Sequence, residues 1–334
     1  MSGTISFGDG IPEETLRTRI ASLPVKPQGL EDLAFRIVVP VDWKRHDSED
    51  IRYPEFEEFV ELITLSHGRD TGLQVLATKV PFEVNLVDWL EFLAHQREFT
   101  LEELQSGDTE NGQVVHARGS GPKGEHLRLV VAGSGAFLLF VMGFAPSPVS
   151  PETREILGLM AASFDLLSPG MKTREELVVY RDRDRVFTMT YPKSWSVEVL
   201  GKYRPEKVAV DFRLTSERDT LAYLRVEAIR GRPLDDATLD QLLEDVKDEI
   251  REANVKISNL RPIPASRMAG PRQRWLGTAH LPTGDGVVAM LIRPDGRSWL
   301  IAVLIAPDKE RSPYVWMRAK RMYEYAVASL RELD

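Results

Sequence analysis

Five side chains in one short stretch could act together on an anion. His116, Arg118, His126 and Arg128 alternate along two strand-like runs, Gln113 to Arg118 and Glu125 to Val131, and Lys123 sits in the Gly-Ser-Gly-Pro-Lys-Gly turn that joins them. Alternate residues of a strand share one face, so pairing of the runs would gather two imidazoles and two guanidiniums. The result is a possible anion patch, of a sign that also suits an acidic protein partner. Charged hairpin residues usually form a solvated face, and the anion site stands beside that reading at this point. Metal chemistry is not indicated. His46, His67, His95, His116, His126 and His280 are scattered, without a His-x-x-x-His or His-Glu-x-x-His spacing, and only His116 and His126 could meet. The chain has no cysteine, hence no thiolate nucleophile, disulfide or sulfur-based zinc site.

Other catalytic templates fail on spacing. A phosphate-binding loop at Gly119 to Gly124 would need Lys and Ser or Thr after its last glycine, where Glu125 and His126 stand instead. Gly133-Ser134-Gly135 lacks the Gly-x-Ser-x-Gly elbow of a hydrolase and reads as a tight turn. Asp235 with Asp236 lie at a helix start, and Glu55, Glu57, Glu58 and Glu61 on an exposed segment, where dipole compensation or solvation accounts for them. No residue set specifies a reaction and no cofactor is implied, so a non-enzymatic role is expected. A net charge of −8 argues against a nucleic-acid partner. Met1 to Gly10 has no basic region followed by an apolar run, which points to the cytoplasm, with a periplasmic or envelope lipoprotein as the alternative if a leader has been removed. The longest apolar stretch, Ala136 to Ala145, is about half of what crosses a bilayer and reads as a buried strand, so no membrane span is expected.

The elements that position these residues come in two sets. The chain has 334 residues, enough for two ordinary domains. Phe35, Pro40 and Trp43 recur with the same spacing as Phe187, Pro192 and Trp195, 152 residues further on, and Pro81 recurs as Pro233 in the same register. Gly135 and Ala145-Pro146 match Gly296 and Ala306-Pro307 at 161 residues, and Ser150-Pro151 matches Ser312-Pro313 at 162, a slow drift that a longer loop in the second copy explains. In both, Ser can cap a helix whose first position accepts Pro. The ordered matches predict an α+β fold in two tandem copies, over 33–169 and 170–334, after an N-terminal extension, 1–32, with a short helical pattern from Pro12 to Ser22. Each copy reads as strand, strand, helix, several strands, helix. Leu239, Leu242, Leu243, Val246 and Ile250 mark one amphipathic helix, and Leu86, Trp89, Leu90 and Leu93 its counterpart from about Asn85 to Gln96. A hairpin follows in each copy, the second from Arg274 to Leu281 and Val287 to Ile292. A charged linker is read from Lys172 to Arg185.

Two strands, Phe137 to Phe144 and Trp299 to Ile305, carry no polar side chain, so both faces of each must be covered. By the 161-residue register His126, Arg128 and Val130 become Val287, Ala289 and Leu291, which makes that second-copy strand apolar on both faces. Those three residues could line a groove for an apolar helix or strand of a partner, or simply lie under another helix or the sister copy.

The repeated Phe-x4-Pro-x2-Trp entry, the β-to-α step, and the Ala-Pro, Ser-Pro, terminal-helix ending resemble the PsbP-like superfamily, over about 33–167 and 185–332. That superfamily includes photosystem extrinsic subunits, Ran-binding nuclear import factors, bacterial lipoproteins and the Eag chaperones of type VI secretion effectors. The resemblance implies two tandem PsbP-like domains, each an antiparallel sheet flanked by helices, and a non-enzymatic role. The Eag-type chaperones are nearest in circumstance, since paired domains there shield apolar effector segments and a tandem chain would be a pseudo-dimer within one polypeptide. This chain departs from them in carrying both copies in one polypeptide and in its N-terminal segment. The expected function is a protein-binding module, a chaperone or adaptor for an apolar segment of a secreted effector. A small-ligand protein or enzyme using a cleft between the domains is the alternative.

Overall fold

A computed structural model describes residues 20–48, 52–109, 112–167, 175–183, 185–200, 206–217, 219–263 and 273–333. The chain divides into two compact units between Arg174 and Glu175; the boundary read near Pro169 lies outside the described residues.

In the first unit, β1 (Ile20–Val25), β2 (Phe35–Pro40) and β10 (Asp165–Leu166) form a small sheet in the order β1-β2-β10. A larger antiparallel sheet has the order β3-β4-β5-β9-β8-β7-β6, built from β3 (Lys44–Asp47), β4 (Val60–His67), β5 (Thr71–Lys79), β6 (Thr100–Thr109), β7 (Gly112–Ser120), β8 (His126–Ser134) and β9 (Phe137–Ala145). Helix α1 (Leu86–Gln96) follows β5 and helix α2 (Pro151–Ala162) follows β9.

The second unit repeats this order. Its small sheet is β11-β12-β20, from β11 (Leu177–Arg181), β12 (Phe187–Pro192) and β20 (Arg331–Glu332). Its large sheet is β13-β14-β15-β19-β18-β17-β16, from β13 (Ser196–Val199), β14 (Lys207–Ser216), β15 (Asp219–Arg230), β16 (Lys256–Ile263), β17 (Gln273–Leu281), β18 (Gly284–Asp295) and β19 (Ser298–Pro307). Helices α3 (Asp236–Glu252) and α4 (Pro313–Ser329) stand where α1 and α2 stand in the first unit. The two Phe/Pro/Trp segments occupy the same topological place. Each opens the middle strand of its small sheet, and the Trp43 and Trp195 N–H groups donate to Pro40 and Pro192 at 3.2 and 3.0 Å. The twofold α+β reading therefore holds.

Two corrections follow. Ile20 to Ser22 are not helical; they begin β1, whose partner is β2, so the first copy starts before residue 33. The stretch read as a charged linker contains β11, paired with β12. Residues 12–19 of the expected helix lie outside the described residues.

Local chemistry explains the helix starts. Asn85 accepts the Val87 N–H, Ser150 the Thr153 N–H and Asp235 the Thr238 N–H, satisfying donors that a helix leaves unpaired in its first turn. Ser312 makes no such side-chain bond; there Pro313, lacking an N–H, supplies the start. Both faces of the apolar central strands are closed by the unit's own helices. In the second unit Leu300, Ala302, Leu304 and Ala306 pack with Ala319, Met322 and Ala326 of α4. Trp299, Ile301, Val303 and Ile305 pack with Leu239, Leu242, Val246 and Ile250 of α3. In the first unit Val130, Val141 and Met160 share a core, and Trp89 meets Phe140 from the other side at 6.3 Å.

The edge strands β6 and β16 are bulged, at Leu101/Glu103 and Ser258/Arg261. A glycine lies across each bulge: a Cβ on Gly119 would fall 2.2 Å from the Thr100 carbonyl oxygen, and on Gly277 2.9 Å from that of Ser258. These glycines are 158 residues apart, the register of β7 with β17.

Candidate functional site

Strand register decides which hairpin residues share a face. Arg118 lies opposite Arg128 and Ser120 opposite His126, so His116, Arg118, His126 and Arg128 all point to the α2 side of the sheet. There α2 comes close. Gly143, opposite Arg128, would place a Cβ 3.2 Å from Leu157, and a Cβ on Gly158 would sit 3.7 to 3.9 Å from the Arg128 guanidinium. Arg128 is 2% exposed, threaded beneath the helix where glycine leaves room. Beyond it the helix adds Arg154, whose charge reaches His126.

The corner thus holds Arg118, Arg128, Arg154 and His126, with His116 deeper on the same face. Burial, then the positive charges of Arg128, Arg154 and Arg118, push the His126 imidazole down to about 4. Burial alone does the same to His116. Both rings are therefore neutral at pH 7. Glu102 and Glu103 of the edge strand stand 3.4 and 3.5 Å from Arg118, yet the field at His126 stays cationic. Buried nitrogens of the corner, Nε of Arg118 and Arg154, Nε2 of His126 and Nδ1 of His116, have no hydrogen-bond acceptor among the described residues. The guanidiniums among them can hold an oxyanion through charge-assisted hydrogen bonds.

Of the five residues read from the sequence, the structure brings together His126, Arg118 and Arg128, places His116 beside them, and leaves Lys123 on the exposed turn, its backbone N–H donating to Glu125. Arg154 was missed: it lies on a helix more than twenty residues downstream, and only its place after the Ser-Pro cap hinted that it would lie over the sheet.

The second copy treats the same corner differently. Leu276 lies opposite Ala289 and Thr278 opposite Val287, where the first copy has Arg118 with Arg128 and Ser120 with His126. Ala289 and Leu291 are 6% and 0% exposed and belong to the core that α4 closes; Val287 is half-buried. The partner groove expected at Val287, Ala289 and Leu291 is corrected accordingly. The chain's own helix occupies that face, and a partner would have to displace it to reach the two buried residues.

Charge in the second copy lies on the opposite face of its sheet. Arg225 donates to Asp211 at 2.9 Å, and Lys207 sits between Glu227 and Glu249 of α3 at 2.9 and 2.6 Å. Lys207, Glu227 and Glu249 border a cleft of about 260 Å³. Burial pushes Glu227 up to about 6 against the pull of Lys207. The network is paired within itself and ties α3 to the sheet. Among the described residues no group of three or more His, Asp or Glu could hold a metal ion, and no helix is long and apolar enough to cross a membrane.

No family model matches the chain, and no curated protein matches it. Solved structures do. The solution structure of cyanobacterial PsbP (CyanoP) from Synechocystis sp. PCC 6803 is 12% identical, spans 49% of this chain and 99% of its own, and superposes with a TM-score of 0.34. The T6SS immunity protein TplEi of Pseudomonas aeruginosa, solved with "L" peptide, is 12% identical over 95% of this chain and 99% of its own, with a TM-score of 0.25. The Tle4-Tli4 complex gives 13%, 95% and 98%, with 0.24. Identities this low carry no residue role across. The match to PsbP spans about half of this chain, and those to TplEi and to the Tle4-Tli4 complex span nearly all of it.

Proposed function

We propose that the chain is a non-enzymatic binding module for a protein partner, and that the α2 corner of its first copy receives an acidic segment of that partner. One observation carries this reading. The second copy builds the same corner of the same fold from Leu276, Ala289 and a half-buried Val287, so folding does not require Arg118, Arg128 and His126 at these positions of the first copy. That cluster, with Arg154 at its edge, keeps a positive field at His126 despite Glu102 and Glu103, and a partner's carboxylates would complement it.

The finer role we attach is an adaptor or chaperone for a secreted effector, acting in the cytoplasm. The client contact would be polar and salt-sensitive, because the apolar faces of both sheets are taken by the chain's own helices. The test is fluorescence anisotropy of a labelled glutamate-rich peptide with the full chain, beside a competition with inorganic phosphate. Peptide binding that weakens about tenfold at raised salt and is lost in Arg154→Glu supports the reading. No peptide binding, or binding indifferent to Arg154→Glu, overturns it. Phosphate bound where the peptide is not would make the corner a small-anion site and overturn the protein-partner reading.

A further inference from the structure

A second surface of the first copy has the opposite sign. Tyr53-Pro54-Glu55-Phe56-Glu57-Glu58-Phe59 precedes β4 and forms a tight turn. The Glu58 N–H donates to the Glu55 carbonyl at 3.2 Å, the Glu55 N–H donates back to the Glu58 carboxylate at 3.3 Å, and Arg52 pairs with Glu58. Phe56 forms a parallel β-bridge to Lys79, and Glu57 is held at a φ of 66°, a conformation that non-glycine residues adopt rarely and that local contacts must enforce.

This pinned turn directs its aromatic side chains two ways. Inward, Phe59 meets Trp89 at 6.1 Å, and Trp89 reaches Phe140 in the core. Outward, Tyr53 stays 62% exposed beside Phe137, and Phe56 stays 41% exposed against Phe82 at 5.5 Å. Solitary exposed aromatics are ordinary, but exposed rings each held against a second ring are the material of interface anchors. The charge around them selects the partner. Glu55 and Glu57 are exposed and make no ion pair among the described residues, and Arg52 is taken by Glu58. The inward ring of the turn shows what such rings accept, because the Arg97 guanidinium lies over Phe59 at 5.0 Å.

We infer that the Tyr53 to Phe59 turn is a docking surface for a basic segment of a partner protein, an arginine or lysine lying over Tyr53 or Phe56 and reaching Glu55 and Glu57. Aromatic faces beside unanswered carboxylates favour a cation with an apolar neighbour over a neutral or acidic segment.

The experiment is fluorescence anisotropy of a labelled peptide of alternating arginine and leucine with the full chain. Matched alternating glutamate and leucine serves as control, and circular dichroism confirms the fold of each variant. The arginine peptide should bind and the glutamate peptide should not bind at this turn. Y53A/F56A should weaken binding about tenfold or more. E55Q/E57Q should weaken it a few-fold, and D240N/E252Q, which removes the same charge from exposed positions of α3, should leave it unchanged. No binding, a Y53A/F56A affinity within about twofold of the parent, or equal weakening by the two charge pairs would each overturn the inference, the last by showing general attraction to an acidic chain. If Y53A/F56A fails to fold, Tyr53→Ala alone carries the same test. Arg154→Glu should leave this binding intact, so failure here and failure of the acidic-segment reading are separately visible.

Discussion

The corner under α2 and the corner under α4 occupy equivalent places in one repeated fold and meet opposite demands. Under α4, Leu276, Ala289 and Leu291 bury apolar surface and the helix closes on them. Under α2, Arg118, Arg128 and His126 lie in the equivalent pairs, with Gly143 and Gly158 thinning the packing so that a guanidinium fits. A backbone that accepts either solution does not need the costlier one. The difference separates what the scaffold requires from what one copy has added to it.

The comparison can be broken most severely at Leu291. Leu291→Asp places a carboxylate in a fully closed apolar core and should destabilise the second copy by about 4 kcal/mol or more, seen as loss of its thermal transition. If instead the variant folds normally and loses only partner binding, the α4 corner is a partner surface after all. Next in size, Gly119→Ala drives a methyl group against backbone and should cost about 2 to 3 kcal/mol, more than Gly277→Ala, whose contact is looser. Equal effects in chemical denaturation would mean that the two bulges are not equivalent structures.

The exchange R118L/R128A rewrites the first corner as the second. Since well-packed apolar groups can replace buried ions at no cost or with a gain, its melting temperature should hold or rise while glutamate-peptide binding falls about tenfold or more. A collapse in stability would make the guanidiniums structural.

The smallest effect is in pH, and the two copies should respond with opposite sign. His116 and His126 are held at about 4 in the fold, below the ordinary 6.5, so the stability they contribute is full above about pH 6.5 and is lost as pH falls toward 4. Glu227 is held at about 6, above the ordinary 4.5, so its folded form takes up a proton first and gains stability as pH falls from 7 toward 4.5. Calorimetry between pH 7 and 5 should lower the first copy's transition and support the second's, with Glu227→Gln flattening the latter. An oxyanion bound at the corner should raise the His126 pKa, which NMR titration would detect.

Much of this was legible from residues alone. Phe35, Pro40 and Trp43 against Phe187, Pro192 and Trp195 revealed the duplication because each type has a local duty at strand and turn. Leu239 to Ile250 declared a helix by its period. What failed was where locality misleads. Ile20 to Ser22 was absorbed into a helical pattern although it begins a strand, and Leu177 to Arg181 was hidden among charges. The two histidines and two arginines of the hairpin could be assigned to one face from strand geometry, while Arg154 could not.

The sequence by itself determined the tandem repeat, the helices with the Ser150 cap though not the one expected at Ser312, the hairpin that aligns His116, Arg118, His126 and Arg128, and the absence of any cysteine chemistry. All of these depend on neighbours within a few residues or on identity at a fixed spacing. Only the tertiary structure decided that α4 covers Ala289 and Leu291, that Arg154 joins the cations across the α2 corner, and that Tyr53 and Phe56 are pinned outward. Each of those depends on which element packs over a given face, and a strand that reads as apolar carries no mark of the helix that will cover it.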